Sequence, residues 1–152
     1  MKKGNYHKDM IFKGFSFPVM INNAPFHKLG NTEILDIDPA SIKGQVFLEI
    51  INKPACLTGA EVKFIRTTME QTQEAFAKKI GIKDRSLISK WEAQKGKSTG
   101  MDQHTELLIR LKALFFHNRK IKLSEADIEN LQQLTSSGVK AFAISIDYDD
   151  AK

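Results

Sequence analysis

The chain has 152 residues, 41% of them hydrophobic, with a mean hydropathy of −0.31. That is enough apolar material for one domain or two small ones and too little for a membrane protein; no apolar run approaches the ~20 residues a membrane span needs. A formal net charge of +5 and a pI near 9.3 favour an anionic partner without identifying one.

In chain order, residues 1–10 are polar and basic and read as a loose end. Lys13, Asn22 and Asn23 interrupt the apolar residues that follow Met1-Lys2-Lys3, so no secretory apolar core forms and a cytoplasmic protein is expected. Phe15, Phe17 and Val19 alternate with Ser16 and Pro18, the period-2 pattern of a half-buried strand. Pro18 lacks a backbone donor, which makes this an edge strand or a bulged one. Asn22-Asn23 reads as a turn, residues 24–29 as a second strand, Gly30-Asn31 as another turn and residues 32–37 as a third strand. Asp38-Pro39-Ala40-Ser41 suits a turn or the start of a helix. Residues 42–52 fit two patterns: Val46, Leu48 and Ile50 alternate as in a strand, while Phe47, Ile50 and Ile51 share one face of a helix. The β-branched residues and the internal Gly44 favour the strand. Lys53-Pro54-Ala55-Cys56 marks a domain boundary, which leaves residues 1–56 as a small β-rich element. Cys56 is the only cysteine; it excludes a disulfide within the chain and fits a reducing compartment. His7, His27, His104 and His117 have no metal-ligand spacing and read as surface or packing residues, so no metal or cofactor is implied.

The centre of the chain is more informative. Thr58 with Glu61 makes a capping box for a helix to about Met69, with Val62, Ile65 and Met69 as its core stripe and Lys63 and Arg66 off it. Thr72 caps a second helix to Ile80, with Phe76, Ala77 and Ile80 on one face, and Gly81 ends it. Asp84 caps a third helix, in which Leu87, Ile88 and Trp91 can face inward. Two short helices across a Gly-containing turn are the skeleton of a helix-turn-helix, whose second helix can lie in the major groove of DNA. Charge agrees: residues 57–122 hold fourteen Lys and Arg against seven Asp and Glu, while residues 123–152 hold two against six. A solvated charged face would give the same composition. Residues 94–100 read as a loop whose Lys95 and Lys97 could touch phosphate or simply stay solvated. Asp102 or Thr105 opens a further helix with a stripe of Leu107, Leu108, Leu111, Leu114 and Phe115, suited to an ordinary core or to dimerisation. Ser124 with Asp127 begins a last helix with Ile128, Leu131 and Leu134 inward, and Ser136-Ser137-Gly138 ends it. Residues 139–146 alternate as a strand that either joins the N-terminal strands or pairs across a dimer axis. The whole is an α+β chain: a mainly α-helical bundle containing a helix-turn-helix (57–122), a small β-rich N-terminal element (1–56), and a C-terminal helix and strand (123–152) as a candidate dimerisation element.

The block from Leu57 to Glu92 resembles the helix-turn-helix of XRE-type bacterial regulators, and more closely the DNA-binding half of the MqsA-type antitoxin and regulator family. The resemblance is carried by Leu57-Thr58-Gly59-Ala60-Glu61-Val62-Lys63-Phe64-Ile65-Arg66, Thr72-Gln73, Ala77, Gly81-Ile82 and Ser89-Lys90-Trp91-Glu92. The interval from Gly81 to Trp91-Glu92 is one residue longer than usual, and the extra residue is placed in the turn near Lys83. The paired cysteines of the family's zinc-binding N-terminal domain have no counterpart here. The resemblance implies base contacts at Ser86 and Lys90, where the family often has an amide and an arginine, and a backbone contact at Gln73. From helix geometry, Arg85, Ser86, Ser89 and Lys90 share the outward face; Arg85 can grip a guanine edge, and Ser86 and Ser89 can take a base or a phosphate. Lys83 is expected as a further backbone contact. One such module makes few contacts, so a homodimer on a pseudo-palindromic operator is expected. The leading function is a sequence-specific transcriptional regulator, most simply a repressor of its own operon. The second is an antitoxin-like protein whose N-terminal element binds a toxin. No phosphate-binding Gly loop, metal cluster or nucleophile–base arrangement supports an enzyme.

Overall fold

The computed structural model describes residues 6–118, 124–136 and 144–148. They form an α+β structure of ten elements: β1 (Tyr6–Phe12), β2 (Val19–Leu29), β3 (Thr32–Leu35), α1 (Pro39–Asn52), α2 (Gly59–Thr68), α3 (Gln73–Lys79), α4 (Arg85–Glu92), α5 (Gln103–His117), α6 (Glu125–Ser136) and β4 (Ile144–Asp147). They divide into two compact units: β1–β3, α1 as far as Glu49 and β4 in one, Ile50 through α6 in the other.

In the first unit β2 is central. β1 pairs antiparallel along one edge of β2; β3 (antiparallel) and β4 (parallel) share the other edge at its two ends. This settles the partner of the C-terminal strand among the described residues: Ile144 and Ile146 sit opposite Val19 and Ile21 and are buried with them. Residues 139–143 of the expected strand lie outside the described residues. Three sequence expectations are corrected here. Residues 6–10 are not a loose end but most of β1. The strand is exposed along most of its length, so it lacks the apolar alternation by which strands are recognised. It is held instead by its ladder to β2, by Tyr6 against the Phe26 ring (centroids 5.6 Å apart) and by the Lys8–Glu33 ion pair. Asn22-Asn23 does not turn the chain. The pair forms a bulge inside a continuous β2, opposite Asp9, with Asn23 at φ 56° and its N–H donating to Asp9 Oδ1 at 2.9 Å. The extra residue resets the side-chain alternation, which is why Val19, Ile21, Ala24 and Phe26 are all buried. Phe15 and Phe17 do not start a strand; the chain bends there, with Ser16 at φ 69°. The Gly30-Asn31 turn is as expected, with Gly30 at φ 62° between the paired Leu29 and Thr32, and the third strand forms but ends at Leu35 rather than at residue 37.

The fourth correction is α1, which replaces the expected strand over residues 42–52. Asp38 Oδ1 accepts from Ala40 N (3.0 Å), and Pro39 stands first in the helix, where its missing N–H costs nothing. Ile42, Val46, Phe47, Ile50 and Ile51 are buried at a spacing only a helix brings to one face. Gly44 is tolerated at a cost of about 1 kcal/mol against Ala.

In the second unit, a cluster of buried charge joins the end of α1 to α2 and α5. Arg110, fully buried, donates from Nη1 to the carbonyls of Ile51 (2.6 Å) and Lys53 (2.9 Å) and from Nη2 to that of Ala55 (2.6 Å). Burial pushes its guanidinium below the ordinary arginine value, opposed by the carboxylates of Glu106 and Glu61. Glu106 accepts from Leu57 N at 2.5 Å, and Lys53 pairs with Glu61 at 2.5 Å. Two cations and two anions thus balance where single buried charges would be costly. Arg110 also corrects the expected stripe of α5. Its buried face is Glu106, Ile109, Arg110 and Ala113, an i, i+3, i+4, i+7 set in which two members are charged. Leu107, Leu108, Leu111 and Leu114 are half-buried and Phe115 is exposed. On α6 only Leu131 of the expected stripe is buried; Leu134 is half-buried and Ile128 exposed.

Candidate nucleic-acid interface

The three helices α2, α3 and α4 are each defined by their caps. Thr58 and Glu61 form the reciprocal capping box of α2. At the other end, Glu70 N donates to Thr67 O and Gln71 N to Arg66 O (3.0 and 3.1 Å), with Glu70 at φ 56°. That is a Schellman closure with a non-glycine in the left-handed position. Thr72 Oγ1 accepts from Ala75 N (3.1 Å) to start α3, which closes in the same way, Gly81 N to Lys78 O and Ile82 N to Ala77 O, with Gly81 at φ 76°. Asp84 starts α4: Oδ1 accepts from Ser86 N (2.8 Å) and Oδ2 from Ser86 Oγ (2.5 Å). These two bonds, the side-chain one first, hold the Asp84 carboxyl below its ordinary value. Asp102 rather than Thr105 caps α5, accepting from Thr105 N at 3.0 Å.

Two arrangements fix the helices against one another. Gly59 lies so close to the end of α4 that a Cβ there would stand 2.2 Å from the Trp91 carbonyl oxygen. Gly59 N and Ala60 N donate to the Lys97 and Lys95 carbonyls (3.1 and 2.8 Å), stitching the loop after α4 to the start of α2. Glu92 joins all three helices: it accepts from Arg66 Nε (2.5 Å) and Nη2 (3.2 Å) on α2 and from Gln73 Nε2 (2.9 Å) on α3. Arg66 Nη1 continues to the Gln71 carbonyl at 2.8 Å. Sequence reasoning assigned neither Arg66 nor Glu92 a part. The available signal was that a charged residue inside a helical core needs a partner.

Ile88 and Trp91 are buried. Opposite them on the α4 wheel stand Ser86, Ser89, Lys90 and Ala93, with Arg85 on one flank. Of the six candidate residues, Lys83, Arg85, Ser89 and Lys90 are exposed, Ser86 is half-buried on the same face, and Gln73 is half-buried with its amide on Glu92. Leu87, expected inward, is exposed at 37%, because it lies on the wheel's other flank. Ala93, which the sequence analysis did not single out, is exposed on the same face one turn beyond Ser89 and Lys90. A concavity of about 330 Å³ beside the turn is lined by Lys78, Lys83 and Arg85 together with Glu74 and Asp84. Lys78 pairs with Glu74 at 3.4 Å, whereas Lys83 and Arg85 have no ion-pair partner among the described residues and stand available to an anion. Among the described residues no group of three His, Cys, Asp or Glu is placed to hold a metal ion, and no helix is long and apolar enough to cross a membrane.

No protein-family model, curated protein or solved structure matches the chain.

Proposed function

We propose that this chain is a sequence-specific DNA-binding regulator of transcription, acting as a homodimer on a pseudo-palindromic operator and not as an enzyme. The observation that supports this best is α4 itself. It is a short helix locked on its inner side by Ile88, Trp91 and Glu92, and its outer side presents Ser86, Ser89 and Lys90 beside Lys83 and Arg85, exposed cations with no ion-pair partner among the described residues. A rigid helix with polar groups at i, i+3 and i+4 can place several donors and acceptors against base edges, and the flanking cations suit phosphates. This reading locates the chain in the cytoplasm, with its DNA, and self-repression is its simplest use. The test is fluorescence anisotropy with the duplex upstream of the coding region against a scrambled duplex, over a salt series. A preference for the native duplex that survives higher salt, and is lost in Arg85→Ala with Lys90→Ala, supports the reading. Equal binding to both duplexes that collapses steeply with salt is phosphate attraction alone and refutes it.

A second reading has one observation behind it. The outer edge of β1 has no strand partner among the described residues, and Tyr6 and Ile11 on that strand are more than half exposed. An open edge accepts an added strand, so an antitoxin-like role through the N-terminal element remains the alternative. Co-purification with a small protein encoded beside it would favour that role.

A further inference from the structure

The cap of α4 carries an inference about which base edge is read, and it rests on the DNA-binding reading above. Ser86 sits on the outward face of the helix, and its Oγ lies 2.5 Å from Asp84 Oδ2. An ionised carboxylate has no proton to give, so in this contact the serine hydroxyl must be the donor. Both bonds that Asp84 makes with Ser86 favour its ionised form, which keeps the arrangement in place at neutral pH. A hydroxyl ordinarily donates or accepts as its surroundings demand. Here the one proton is committed, and only lone pairs remain for a base.

We propose that Ser86 is a specificity-determining acceptor that reads an exocyclic amino group, adenine N6 or cytosine N4, and rejects the keto oxygens of guanine and thymine at the same position. In the major groove adenine and cytosine present N–H donors where guanine and thymine present O6 and O4 acceptors. A keto oxygen facing Ser86 would meet a lone pair with a carboxylate behind it. A phosphate meets the same obstacle, being acceptor-only and negatively charged, so Ser86 is a base contact and not a backbone contact. Arg85 and Lys90 have the opposite character as pure donors. The face therefore alternates donor and acceptor, and its preferred sequence should place an amino-bearing base beside guanine.

The experiment is selection of bound duplexes from a randomised double-stranded library with the full chain, repeated with Asp84→Asn and Ser86→Ala. Asparagine caps a helix as well as aspartate does, so Asp84→Asn retains the start of α4, checked by an unchanged melting curve. Its amide can turn an N–H toward Ser86 Oγ and free the hydroxyl to donate. The expected wild-type consensus has one position per half-site restricted to A or C, with G or T bound about tenfold more weakly, the cost of one wrong base pair. Ser86→Ala should abolish that restriction at that position alone, and Asp84→Asn should relax it toward all four bases while leaving the other positions unchanged. Replacing the selected adenine by purine, or the cytosine by 2-pyrimidinone, removes only the amino group; it should weaken wild type about tenfold and Ser86→Ala not at all. A Ser86-dependent position that prefers G or T, or one unaltered by Asp84→Asn, overturns the proposal while leaving DNA binding intact. Failure to enrich any sequence overturns the DNA-binding reading itself and this proposal with it.

Discussion

Removing Glu92 tests whether one carboxylate sets the angle of α4. Its side chain and that of Arg66 are 8% and 12% exposed, so the pair is far closer to a buried ion pair than to a surface one. Exposed pairs contribute ~0–1 kcal/mol, whereas breaking a buried pair costs ~3–5 kcal/mol. Allowing for the residual exposure, Glu92→Ala should cost about 3 kcal/mol. With a urea m-value of ~2 kcal/mol per M, the unfolding midpoint should fall by roughly 1.5 M. Arg66→Ala should cost less, because Glu92 keeps the Gln73 amide at 2.9 Å. The decisive quantity is the coupling from a double-mutant cycle, which should be about 2 kcal/mol. Residues in one ion-pair network couple by ~0.5–3 kcal/mol; a value below about 0.5 kcal/mol would class the pair with ordinary surface charges. Glu92 would then not be what holds the three helices together.

Gly59→Ala forces a methyl group against the Trp91 carbonyl and should destabilise by about 2 kcal/mol, the usual scale of overpacking; chemical denaturation measures it. Glu70→Gly relieves a left-handed backbone at φ 56°, and thermal unfolding should show a gain of up to about 1 kcal/mol after the added freedom of the unfolded chain is counted. Asp84, Asp102 and Asp127, each capping or boxed to the start of a helix, have carboxyls held below their ordinary value by serine or threonine hydrogen bonds. A depressed folded-state pKa contributes stability above the unfolded value near ~3.9 and loses it as pH falls through the folded value. Stability should therefore drop below about pH 4, and replacing all three by Asn should flatten that decline while leaving the neutral-pH midpoint nearly unchanged.

The central helices were legible in the sequence because their signals are local. Thr58 with Glu61, Thr72, Gly81 and Asp84 all act within three residues of themselves, and each occupies the expected place. What failed depended on distant partners. β1 has an exposed strand's composition and exists because β2 pairs with it. The Asn22-Asn23 bulge mimics a turn because both need a residue that accepts φ > 0. In α1 the β-branched residues outweighed the helical stripe of Phe47, Ile50 and Ile51, although Ile42 and Val46 extend that stripe back toward the start of the helix. The α5 stripe was misassigned by an equation of leucine with burial; Arg110 is buried more completely than any of its leucines because carbonyls 55 to 59 positions away accept its protons. The same limit applies to the site. Residue types and the outward face of α4 follow from the wheel, but the commitment of Ser86 to Asp84 and of Gln73 to Glu92 is visible only in three dimensions.

The grip of Arg110 also bears on how this chain can vary in length. One rigid, planar group takes the carbonyls of residues 51, 53 and 55 at 2.6 to 2.9 Å, so it gauges the stretch between α1 and α2 like a template. Inserting or deleting a single residue there would move at least one carbonyl off its N–H. The turn between α3 and α4 has no such gauge: Gly81 closes one helix, Asp84 opens the next, and Ile82 and Lys83 between them are half-buried or exposed. Related chains should therefore differ in length at that turn and keep it constant over residues 51–55, an asymmetry fixed by a single guanidinium.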